Sequence, residues 1–104
     1  MKLLNAFSLN MLEGFPSYAS FEEKTLEEAR YLLADGFTSA VGHESTAAVF
    51  ADVLGLDVEF NRSTVVLKKY EGALIGQYRG PRLEEGTTHL PEGATIQWLL
   101  VTIV

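Results

Sequence analysis

Apolar residues recur along this chain with two different periods, and the periods divide it into strands and helices. The opening "KLLNAF" reads as a short strand that runs into the polar turn "SLNML" ahead of Gly14 and Pro16. In "SYASFEE", Tyr18 and Phe21 stand among polar neighbours, the pattern of a half-buried strand. Thr25 followed three residues later by Glu28 forms a capping box, and Leu26, Ala29 and Leu33 then share one helical face. Gly36 stands where a glycine closes a helix. "FTSAVG" predicts a third strand. It leads through His43 into a second helix, whose Val49, Phe50, Val53 and Leu54 form an apolar stripe ended by Gly55.

Further along, "VEFNRSTVVLKK" predicts extended structure interrupted at Asn61 and Arg62, and "GALIGQYRG" a further strand. "TIQWLLVTIV", rich in β-branched residues, predicts a closing one. "PRLEEGTTHLPEG" has no apolar period and reads as a loop. This order predicts an α/β fold, a single mixed β-sheet with helices packed on it. A last strand so apolar must be covered, by the chain's own elements or by a second copy. The aromatic and Met side chains read as core rather than as a platform for stacking.

Length and composition narrow the function. The 104 residues make a single domain over 1–104, with an ordinary apolar content of 47%. No apolar run reaches the roughly 18 residues of a membrane helix, which predicts no membrane partner. A first segment broken by Asn5, Ser8 and Asn10 argues against a signal peptide. The absence of cysteine fits a cytoplasmic protein and removes thiolate metal sites. A net charge of −6 argues against a partner that is long nucleic acid. The charge is uneven, however. Residues 1–60 carry −7, residues 62–82 carry +4 and the remainder −3. A small anion can find a positive site on such a body where a long polyanion is repelled.

Four stretches carry candidate chemistry. In "AVGHESTAAV", Gly42 permits a turn and His43 precedes a helix start whose free amides suit a phosphate. Ser45 and Thr46 add hydroxyl donors, and His43 could give a proton to a leaving oxygen. The same stretch also reads as a capped helix with an exposed histidine. In "PRLEEG", Arg82 suits a phosphate oxygen and Glu85 could hold Arg82 or a ribose hydroxyl, although the two could equally form a simple loop ion pair. "NAFSLNML" sets Asn5, Ser8 and Asn10 just past the first strand, where polar groups line ligand crevices or cap turns. Arg62 interrupts an extended segment as a solvated charge or a ligand contact. His43 and His89 are far apart in sequence and no carboxylate cluster has ligand spacing, so no metal site and no cofactor is expected.

Taken in order, "NAFSLNML", "VGHEST", "NR" and "RLEEG" resemble the viral type III anti-CRISPR ring nucleases and their bacterial and prophage relatives. The resemblance spans essentially the whole chain. It implies a two-fold homodimer that binds cyclic tetraadenylate at the dimer interface and cleaves it without metal, in the cytoplasm of the host cell. It further implies His43, Arg82 and Glu85 as catalytic residues, with ligand contacts at Asn5, Ser8, Asn10, Ser45, Thr46 and Arg62. Pro81 stands where relatives often carry Gln, and the segment "TTHLPEG" is particular to this chain. The alternative from another class is a protein that sequesters the cyclic nucleotide intact.

Overall fold

The structure is a computed structural model describing residues 1–104. Its five strands are β1 (Lys2–Leu4), β2 (Ala19–Lys24), β3 (Thr38–Ala40), β4 (Gly72–Arg79) and β5 (Thr95–Ile103). Two helices, α1 (Leu26–Leu33) and α2 (Glu44–Leu54), lie between them. The strands form one mixed sheet in the order β2-β5-β4-β1-β3. β1 runs parallel to both β3 and β4, while β5 is antiparallel to β4 and β2. The α/β expectation holds as a five-stranded mixed sheet with two helices.

Each helix forms for local reasons that were readable in the chain. Thr25 accepts from the Glu28 amide, and the Glu28 carboxylate accepts from the Thr25 amide at 2.9 Å. The Glu28 carboxyl sits below the usual carboxylate range, first because of the bond from the Thr25 backbone amide and then because of the Thr25 side chain. α2 ends at Gly55, whose φ of 69° is the left-handed conformation a side chain resists. Arg30 of α1 then caps the same end, donating to the carbonyls of Leu54 at 2.9 Å and Val53 at 3.0 Å. Gly36 sits two residues beyond the α1 cap, which is Ala34; its amide still closes on the Leu33 carbonyl at 3.0 Å.

Alternation along the strands divides the core into two layers. On the helix side, Leu3 and Leu74 of the sheet and Trp98 of β5 meet Ala29, Leu33, Phe50 and Leu54. Gly76 is required there, because a Cβ would stand 2.5 Å from Phe50 Cζ and 2.7 Å from Trp98 Cζ3. The bare backbone lets those two rings close on the sheet, with centroids 5.2 Å apart. On the other side, Leu4, Ala73, Ile75, Val101 and Ile103 are covered by Val65 and Leu67.

That second layer corrects two expectations. Residues 58–69 are extended but form no strand, touching the ladder only through the bridges Val41–Phe60 and Leu12–Leu67. The segment lays Val65 and Leu67 onto the face of the sheet, two positions apart as on one face of a strand. β2 is an edge strand and largely exposed rather than half-buried, with Phe21 resting edge-on against Phe7 at 5.4 Å. β5 is covered on both edges by the chain's own β2 and β4. No helix is long and apolar enough to cross a membrane.

Candidate functional site

The carboxyl ends of the parallel strands β1, β3 and β4 open toward one side of the sheet, the place where such sheets usually bind ligands. Three connections leave from there: Asn5 after β1, Gly42 and His43 after β3, and residues 80–94 after β4. Between them lies an open cleft of about 700 Å³. Gly42, His43, Ser45, Phe60, Arg62, Arg82 and Glu85 line it, together with Glu44, Leu83 and Glu84. Residues forty positions apart in sequence thus meet at one helix start.

His43 is the N-cap of α2. Its Nδ1 accepts from the Thr46 amide at 3.2 Å, and its carbonyl accepts from the Ala47 amide at 3.0 Å. The amides of Glu44 and Ser45 are left without a protein acceptor. Together with the helix dipole they form the positive end that an anion favours. The imidazole is exposed and its Nε2 has no protein partner. The turn before it is held by Asn5, whose Oδ1 accepts from the Gly42 amide at 3.3 Å.

Arg62 packs its stem beside Gly42, where a Cβ would stand 3.4 Å from Arg62 Cγ, an ordinary contact distance. Its own segment is tied to β3 by Asn61, whose amide bonds the Val41 carbonyl at 2.9 Å and whose side chain bonds the Ser39 carbonyl at 2.7 Å. Arg82 follows a turn fixed by Tyr78, whose hydroxyl donates to the Pro81 carbonyl at 2.6 Å. Beyond it Leu83 is buried, and the Ser45 hydroxyl donates to the Glu84 carbonyl at 2.9 Å. These pins flank Arg82 and Glu85 and leave both side chains exposed to the cleft. Farther on, His89 meets Asp52 of α2 at 3.2 Å.

Neither arginine of the cleft forms an ion pair, so the loop pair between Arg82 and Glu85 does not form and Glu85 does not hold Arg82. Both guanidinium groups are left free to pair with an anion, although the lining also carries the carboxylates of Glu44, Glu84 and Glu85. No group of three or more His, Asp or Glu side chains is placed to hold a metal ion.

Of the sequence-derived residues, the cleft gathers His43, Ser45, Arg62, Arg82 and Glu85. Asn5 lies behind its wall. Thr46 is buried against His43. Ser8 and Asn10 do not line it: Ser8 caps a single 3-10 turn by accepting from the Asn10 amide at 3.2 Å. Glu44, Phe60, Leu83 and Glu84 also line the cleft and were not among the candidate residues. Phe60 is 52% exposed although aromatic, and presents apolar surface in the cleft two residues before Arg62. The reading of aromatic side chains as core concealed it.

Comparison with known proteins finds relatives by sequence and by structure. The family model described as STIV B116-like matches residues 1–96. The solved structure of B116 of Sulfolobus turreted icosahedral virus superposes with a TM-score of 0.78 and 29% identity, covering 96% of both chains. "Uncharacterized protein 26" of Sulfolobus islandicus filamentous virus (isolate Iceland/Hveragerdi) is 34% identical over 85 residues, 81% of this chain and 71% of that one. "Uncharacterized protein YddF" of Bacillus subtilis (strain 168) is 35% identical over 72 residues, 66% of this chain and 67% of its own. The family has viral and bacterial members.

Proposed function

From the premise that the chain belongs to the STIV B116-like family, we propose that it is a ring nuclease: it binds cyclic tetraadenylate and opens the ring. The observation that carries this reading is the meeting of His43, Arg62, Arg82 and Glu85 in one cleft at the start of α2. Phosphate chemistry needs what that cleft offers, namely free helix amides, two unpaired guanidinium groups and an imidazole. Phe60 adds an apolar surface against which a flat purine can stack.

The reaction uses the nucleophile already present in the ligand. A ribose 2′-OH attacks the adjacent phosphorus in line, and the bond from phosphorus to the 5′-oxygen breaks. The products are a 2′,3′-cyclic phosphate and a free 5′-hydroxyl. The protonated imidazole of His43 supplies the hydrogen that the 5′-oxygen takes, and the hydroxyl's own proton leaves to solvent. Arg82 stabilises the charge gathering on the non-bridging oxygens, and Glu85 orients the attacking hydroxyl. No step requires a metal. A ring of four equal nucleotides has a two-fold axis, so a two-fold homodimer sharing one ring offers each protomer an equivalent phosphate. The biological consequence proposed is the silencing of a cyclic-oligoadenylate signal of type III CRISPR immunity.

The test is incubation of labelled cyclic tetraadenylate with the protein in excess chelator, followed by separation of products and a binding titration. Linear products are expected. A ring held tightly but intact would make the protein a sequestering one, and a ring neither bound nor cut would remove the ligand assignment.

A further inference from the structure

The first turn of α2 contains a pairing that the reaction above does not explain. Nδ1 of His43 meets two groups of Thr46, the backbone amide at 3.2 Å and the side-chain Oγ1 at 3.0 Å. A backbone amide can only donate. Nδ1 of the neutral ring therefore carries a lone pair, and the ring hydrogen sits on Nε2. A proton donor to a leaving oxygen must instead be the imidazolium, which bears a hydrogen on Nδ1 as well. That hydrogen would face the Thr46 N–H, donor against donor. The Thr46 hydroxyl is the remaining partner within reach of Nδ1, and a hydroxyl both donates and accepts.

We propose that Thr46 is a positioning residue whose hydroxyl reverses its hydrogen bond with the protonation of His43. It donates to the bare Nδ1 of the neutral ring and accepts from Nδ1–H of the imidazolium. The ring then keeps its place on the helix in both states, with Nε2 toward the cleft. When the Nε2 proton passes to the departing 5′-oxygen, the ring is left neutral with its hydrogen on Nδ1, still donated to Thr46 Oγ1. Solvent then returns a proton to Nε2. Thr46 is 8% exposed, so its hydroxyl is set against the imidazole rather than offered to a ligand. This inference rests on the reading of His43 as the proton donor.

The experiment uses protein labelled with ¹⁵N in histidine, without ligand, as wild type, Thr46→Val and Thr46→Ser. Valine keeps the backbone amide and the branched shape but removes the hydroxyl; serine keeps the hydroxyl. The charged groups lining the cleft beside the ring (Glu44, Arg62, Arg82, Glu84 and Glu85) are the same in all three. At high pH the wild-type nitrogen resonances should place the hydrogen on Nε2. At low pH a slowly exchanging Nδ1–H signal should appear in wild type and Thr46→Ser and be lost in Thr46→Val. Single-turnover cleavage of cyclic tetraadenylate should fall about tenfold in Thr46→Val and return with Thr46→Ser, as loss of one charge-assisted hydrogen bond implies. A neutral wild-type ring with its hydrogen on Nδ1, or an unchanged Nδ1–H signal in Thr46→Val, would overturn the proposal. If the valine variant fails to fold, the wild-type spectrum alone decides. The spectra need no cleavage, so failure of the ring-nuclease reading is seen separately, in the assay.

Discussion

His43 divides its work between two nitrogens, one closing the helix and the other facing the cleft. A simple truncation therefore mixes two losses. His43→Ala should slow cleavage by roughly 10²–10⁴-fold, the usual consequence of removing a general acid, and should also weaken the helix cap by about 1 kcal/mol. His43→Asn restores a capping side chain without an acid. It should recover the melting temperature and leave cleavage as slow as in the alanine variant, while ring affinity stays near wild type in both. Recovery of cleavage with asparagine would make His43 a structural cap and nothing more. The arginines separate differently. Arg82→Ala should act on the single-turnover rate and Arg62→Ala mainly on the affinity of the ring, since Arg62 is assigned to holding ligand. Single-turnover kinetics at saturating ring and a binding titration check both, and the reverse order would exchange their roles.

Elements carry the next level of the account, and here the capping box makes a pH prediction. Glu28 titrates below the usual carboxylate range in the folded protein because of the Thr25 bonds. Its contribution to stability is therefore present above the pKa of the unfolded chain and lost as pH falls through the folded value. Thr25→Ala should cost about 1 kcal/mol at neutral pH, and Glu28→Gln should flatten the acid side of the melting profile. An unchanged profile in Glu28→Gln would show that α1 is held by packing alone. Both helices were legible in the sequence because each signal is local: a cap three residues from its partner, a stripe of one period, a glycine at the end. β4 and β5 were legible for the same reason. Residues 58–69 were not, because Val65 and Leu67 bury at a strand's spacing while the segment touches the ladder only through isolated bridges. The exposure of β2 was also hidden. It depends on what the helices fail to cover, and that is fixed only when the whole sheet is assembled.

At the scale of the molecule, the cleft is made by elements that have no sequence relation to one another, and so the site was only half legible. The residue types at His43, Arg62, Arg82 and Glu85 suited phosphate chemistry, but their meeting depends on β1, β3 and β4 running parallel with their carboxyl ends toward the same side. Ser45 has a further role that its sequence position did not suggest: its hydroxyl pins the Glu84 carbonyl once the connection after β4 folds back on α2. Asn5 likewise holds the Gly42 amide. Sharing one ring between two equivalent sites requires association, so the protein should sediment as a dimer at micromolar concentration. A monomer cleaving at the full rate would contradict the shared site.

The central claim is that this cleft opens a cyclic oligoadenylate through the ligand's own 2′-hydroxyl. The most direct measurement is single-turnover cleavage of cyclic tetraadenylate beside the same ring with 2′-deoxy sugars at the scissile positions, both in chelator and both with a binding titration. The native ring should yield a first linear product one water lighter than the phosphate form, carrying a 2′,3′-cyclic phosphate. The deoxy ring should bind and stay whole. Cleavage of the deoxy ring at the native rate would contradict the account, because an external water would then be the nucleophile and Glu85 would have to act as its base.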